Sequence, residues 1–148
     1  MKRQLSIPIL AAVLFGAFTV LATASTYPVM SGFAREAGTG EWMFIAVPSL
    51  LSTLFALIVY SGATGRINGI GQSLSRGLLV AILTWMGFSA LATWVWCTPP
   101  HYADCFRHAL MISGALGGGQ LLLAALVAAA ITGYAIRARP AASRKAKD

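Results

Sequence analysis

The stretch Trp94-Val95-Trp96-Cys97-Thr98-Pro99-Pro100-His101-Tyr102-Ala103-Asp104-Cys105-Phe106-Arg107-His108 decides how this chain is read. Cysteines, histidines, prolines and aromatic residues meet nowhere else in it, and the stretch divides two long apolar runs. Working outward, the apolar residues gather in four blocks, at about residues 5–25, 43–60, 77–97 and 109–136. A bilayer core about 30 Å thick takes about 20 apolar residues in a helix, so each block is of spanning length. Of the 148 residues 57% are hydrophobic and 10% charged, far from the roughly one quarter charged in soluble domains. The sequence therefore predicts an all-α integral membrane protein. Residues 1–136 form one antiparallel bundle of four transmembrane helices, and residues 137–148 a basic tail expected to be disordered.

The net charge of +7 is a topology signal before it is a binding signal. Lys2, Arg3, Arg66, Arg76, Arg137, Arg139, Arg144, Lys145 and Lys147 fall on one side of the four blocks. Arg35 and Arg107 fall on the other, together with Glu36, Glu41 and Asp104. By the positive-inside rule both termini lie in the cytoplasm, and the membrane is the cytoplasmic (inner) one of a bacterial-type cell. The basic tail then faces anionic headgroups, and no nucleic acid is implied.

Block one has a competing reading. Lys2-Arg3, an apolar run and Ala22-Thr23-Ala24 resemble a secretory signal peptide with its cleavage site. The run from Ser6 to Ala22 exceeds the usual 7–15-residue signal core, so we expect it to be retained as a span. Thr26 to Trp42 reads as an external loop with Tyr27 and Trp42 as interfacial anchors. Ser61 to Arg76 reads as a glycine-rich cytoplasmic connector. Its Gly69-Ile70-Gly71-Gln72-Ser73-Leu74 lacks the third glycine and the preceding strand of a dinucleotide loop, so no cofactor is expected.

None of the four blocks contains Asp, Glu, Lys, Arg or His. Proton relays and ion-coupled transporters retain such costly groups within their spans, and a buried haem wants axial histidines. Ser113 lacks a Gly-x-Ser-x-Gly setting, since Met111 stands two residues before it. These absences lean against an enzyme. Block four carries Ser113-Gly114-Ala115-Leu116-Gly117-Gly118-Gly119-Gln120, where Gly114 and Gly118 form a small-xxx-small pair that lets backbones approach. Gly114, Gly117, Gly118 and Gln120 are predicted to head the most buried helix face, a stripe continuing through Ala124 and Ala128, with Gln120 bonded to Thr84, Ser89, Ser52 or Thr53.

Cys97 and Cys105 lie in the external turn, where disulfides persist, and we expect them to form a structural disulfide. Cys97, His101, Cys105 and His108 also offer a Cys2His2 set for a metal ion, although the spacing matches no familiar finger and Pro99-Pro100 breaks a shared helix face. Thiol–disulfide exchange is a further alternative, without the usual Cys-x-x-Cys pair. Trp94 and Trp96 read as interfacial anchors, or as a stacking platform for a quinone or other aromatic ligand. The expectation is an accessory or self-associating subunit of a membrane complex, its partners being lipid and either other membrane subunits or itself. Redox or metal handling in the turn is the first alternative, and passive transport the second.

Overall fold

The computed structural model describes residues 6–36, 40, 43–62 and 69–145. The chain is all-helical in these: α1 (Ile7–Glu36), α2 (Met43–Ser61), α3 (Ile70–Trp96), α4 (Tyr102–Ser113), a π-helical turn (Gly114–Gly118) and α5 (Gly119–Lys145). Four helical stretches are long and apolar enough to cross a membrane: Ile7–Thr26, Met43–Ser61, Ile70–Trp96 and the compound helix Tyr102–Ala138. They pack as a four-helix bundle in which α1 contacts α2 and α5, and α3 contacts α2, α4 and α5.

The helices depart from the sequence reading mainly at their ends. α1 does not stop at Ser25 but runs on to Glu36, so much of the expected loop is helix. Hydroxyls there reinforce the backbone rather than break it: Ser25 donates to the Ala22 carbonyl at 2.6 Å and Thr26 to that of Thr23 at 2.9 Å. α3 begins at Ile70 rather than Gly77, after Gly69 in an extended conformation. The added turns are held by tertiary contact, since Ser73 is fully buried. This brings Arg76 into a helix, contrary to the expectation of charge-free spans. The single block at 109–136 begins instead at Tyr102, is interrupted by the π-helical turn, and continues as helix to Lys145, into the stretch read as a disordered tail. The anchoring role given to Trp42 and residues 63–68 of the glycine-rich connector lie outside the described residues.

Small residues and hydroxyls build the seams. Between α1 and α2, Thr19 donates to Ser52 Oγ at 2.9 Å and Ser49 donates to the Gly16 carbonyl at 3.1 Å. Gly16 leaves room there for the Thr53 hydroxyl. A second knot joins α2, α3 and α5. Ser73 Oγ gives its proton to the Ala129 carbonyl at 2.7 Å, so the Tyr60 hydroxyl must be the donor to Ser73, 3.0 Å from both its Oγ and its carbonyl. Phe15 of α1 closes the knot with its ring 5.8 Å from that of Tyr60. Around it lie Ala11, Ala56, Val80, Ala125, Ala128 and Ala129, all buried.

In this knot α3 and α5 touch backbone to backbone. A Cβ at Gly77 would lie 2.5 Å from Ala129 Cβ and 3.1 Å from the Ala125 carbonyl, whereas one at Gly118 would meet nothing within 4 Å. The most buried face of α5 is accordingly Ala124, Ala125, Ala128, Ala129 and Thr132. Along the expected stripe Ala124 and Ala128 are buried, whereas Gly114, Gly117 and Gly118 are half-buried and Gln120 is exposed. Gly77→Ala should force α3 and α5 apart and destabilise the bundle by about 1–3 kcal/mol, the usual range for overpacking. Gly118→Ala should be neutral or better. Reversible unfolding of the two variants in mixed micelles checks the contrast.

Candidate functional site

The reactive residues sit where α3 turns into α4. α3 closes with Cys97 N–H donating to the Thr93 carbonyl at 3.0 Å, and Cys97 itself is extended. Thr98 and the cis Pro99-Pro100 pair follow. His101 N–H returns to the Thr98 carbonyl at 3.1 Å, and Cys105 N–H to the His101 carbonyl at 3.0 Å, which starts α4. Asp104 occupies the first turn of α4, where a carboxylate complements the positive end of the helix dipole.

Cys97 and Cys105 are joined as a disulfide across eight positions. Both sulfurs are thus committed, and among the described residues no three His, Cys, Asp or Glu side chains gather as a metal site. The metal reading of Cys97, His101, Cys105 and His108 therefore finds no assembled ligand set. His101 makes no side-chain capping bond to α4. His108 is turned back on its own helix, with Nδ1 2.7 Å from the Asp104 carbonyl. A carbonyl only accepts, so Nδ1 carries the proton and Nε2 is the ring nitrogen left for other partners.

Beneath the turn lie two neighbouring cavities, an outer and an inner chamber of one cleft region, which share lining residues. The outer one, about 240 Å³, is walled by Phe44, Phe88, Trp96, the disulfide and His108. Phe44 stacks on Trp96 with ring centroids 5.6 Å apart and meets Phe88 edge-on at 6.0 Å. The inner chamber, about 50 Å³, is bordered by Thr84, Trp85, Gly117, Gly118 and Gln120, with Thr23 and Pro48 opposite. Phe44, Phe88 and Ser113 line both chambers. Ser113 is the hinge of this region. It accepts from Trp85 Nε1–H at 2.9 Å, lies 3.0 Å from Ser89 Oγ and 3.3 Å from the Leu110 carbonyl, and directly precedes the π-helical turn. Gly114 opens that turn with its Cα face against the Trp85 ring, where a Cβ would lie 3.0 Å from Cζ2. π-Helical turns recur at functional sites.

Gln120 is exposed at the edge of the inner chamber, with Ser25 of α1 as its partner at 3.3 Å, not Thr84, Ser89, Ser52 or Thr53. Two groups named in the sequence reading, Thr84 as a partner for Gln120 and Arg76 as a cytoplasmic charge, take a different place in the structure. Thr84 is fully buried and its hydroxyl has no hydrogen-bond partner. Arg76 holds one guanidinium nitrogen buried and unpartnered, three residues along α3 from Ser73 and so on the face toward Tyr60. Neither is marked by a motif. Each follows from how α3 is rotated and where it starts.

No protein-family model, characterised protein or solved structure matches this chain.

Closing a loop of eight positions stabilises a fold by roughly 2–3 kcal/mol in the chain-entropy account. Mass spectrometry with and without thiol alkylation should find Cys97 and Cys105 quantitatively oxidised. The Cys97→Ser, Cys105→Ser double variant should remain folded and lose about that much stability.

Proposed function

We propose that this chain is a small non-enzymatic protein of a bacterial-type cytoplasmic membrane, an accessory or self-associating subunit of a membrane complex. In this reading the four spans alternate in direction, the basic ends lie in the cytoplasm and the disulfide turn lies outside. The alternating order is supported by paired contacts. Phe15 meets Tyr60 while Thr19 meets Ser52, and Tyr60 meets Ser73 while Phe44 meets Trp96. The orientation rests on nine basic residues against two. Retention of block one is supported by Ala11, Phe15 and Thr19, which are buried in the bundle and would leave a void if the segment were removed.

The observation that carries the proposal is how the polar groups are spent. Apart from Thr84 and Arg76, the buried side-chain polar atoms of the described residues are partnered, largely across helix seams or to their own helix, and both cysteines are tied to each other. Broad apolar faces are left outward, such as Leu50, Leu54, Leu57 and Ile58 along α2, and Leu123, Val127 and Ile131 along α5. Such faces meet only lipid or another helix, and in lipid helices associate by packing rather than by hydrophobic drive. Extraction in a mild detergent, followed by native mass spectrometry, should find the chain in a larger assembly, with itself or with other membrane subunits. A strictly monomeric protein that still carries out its cellular role overturns the reading.

A further inference from the structure

Every other helical threonine with a described side chain has an assigned hydroxyl partner. Thr23, Thr53, Thr93 and Thr132 each donate to the carbonyl four residues back at 2.8 Å. Thr26 donates to the carbonyl three residues back, and Thr19 to Ser52. Thr84 alone does neither, although it is 0% exposed and its own helix offers the Val80 carbonyl. An unpaired hydroxyl in an apolar interior is costly, so this one calls for an acceptor. It stands in the wall of the inner chamber, beside the π-helical turn.

The two chambers together state what that acceptor must be attached to. Among the described residues no Asp, Glu, Lys or Arg lines either one, which suits a neutral occupant. The outer chamber is framed by Phe44, Phe88 and Trp96, whose faces suit a flat ring in offset stacking. Its volume approaches the lower end of small-molecule sites, while the inner chamber has room for little more than one small polar group. A lipid acyl chain fills such a space but brings no acceptor at its end. We propose that the cleft binds a neutral, membrane-soluble ring compound bearing a carbonyl oxygen, of the quinone class. The ring lies among Phe44, Phe88 and Trp96 beside the disulfide, and the oxygen points inward to the Thr84 hydroxyl. His108 lines the outer chamber, and its Nε2, the ring nitrogen not engaged with Asp104, meets a second polar substituent on the ring. This assigns the aromatic cluster of the turn a ligand as well as an anchoring role.

The test uses the full chain in phosphatidylcholine nanodiscs, titrated with decylubiquinone, bound ligand being extracted and quantified against protein-free discs. Saturable binding above the lipid background is expected. Thr84→Val should weaken it about tenfold while leaving thermal stability equal or higher, because the orphan hydroxyl is removed rather than a made bond. Trp96→Leu, at the exposed rim, should weaken it several-fold without affecting the fold. Decylbenzene, which has the ring and tail but no oxygen, should not distinguish wild type from Thr84→Val. Binding indistinguishable from empty discs overturns the proposal. So does a Thr84→Val protein that binds as wild type, which would make ordered water the partner of Thr84. Should Thr84→Val fail to fold, unchanged affinity in Trp96→Leu is the overturning result.

Discussion

The Tyr60 hydroxyl donates to Ser73, and the Ser73 hydroxyl donates in turn to the backbone of α5 at Ala129. This relay ties three helices, and the fourth joins through the ring of Phe15 on Tyr60. In hydrocarbon there is no water to satisfy a stray hydroxyl, so a polar group inside a helix bundle either returns to its own backbone or fixes a neighbour. The side chains that cross between helices are few, and each fixes one register. Thr19–Ser52 and Ser49–Gly16 set α1 against α2, Tyr60–Ser73 sets α2 against α3, and Trp85–Ser113 sets α3 against α4. Individually such bonds contribute about 0.6 kcal/mol, so the backbone approaches that small residues permit must supply much of the rest. Gly77 against Ala129 and Gly133 against Ser73 are those approaches.

The relay lies at one end of the bundle and the disulfide turn at the other. There α3 and α4 are held by the disulfide and by Ser113, which directly precedes the π-helical turn. The cleft lies at this end, lined by Ser113 and by Phe44 and Phe88. The same residues that looked reactive in the sequence thus act chiefly as walls: the cysteines as a clasp, His108 as a ring held by the Asp104 carbonyl, and Trp96 as one face of an aromatic frame.

The number and nature of the long helices were legible in the sequence, because hydropathy over about 20 residues survives any detail of packing. The disulfide was legible from compartment and spacing. The ends were not. Thr26 to Glu36 and Ile70 to Arg76 each carry a glycine and hydroxyl residues and read as loop, yet both are helical, with Thr26 bonded back to the Thr23 carbonyl and Ser73 buried against α5. The glycines of block four were read for what they permit, close approach, and Gly114 and Gly133 do lie against α3, but a Cβ at Gly118 would meet nothing within 4 Å and the tightest of these approaches belongs to Gly77, which carries no motif. Thr84, likewise, is one threonine among many in the sequence. Its orphan hydroxyl emerges only once every other described helical threonine has been matched to a partner.

The relay through Ser73 is the claim on which the rest depends, and a double-mutant cycle on Tyr60→Phe and Ser73→Ala tests it most directly. Unfolding of the four proteins in bicelles should give a favourable coupling energy of about 1 kcal/mol between the two sites, with neither single variant altering the helix content. Strict additivity would mean that the two hydroxyls do not act on each other, and would contradict the account.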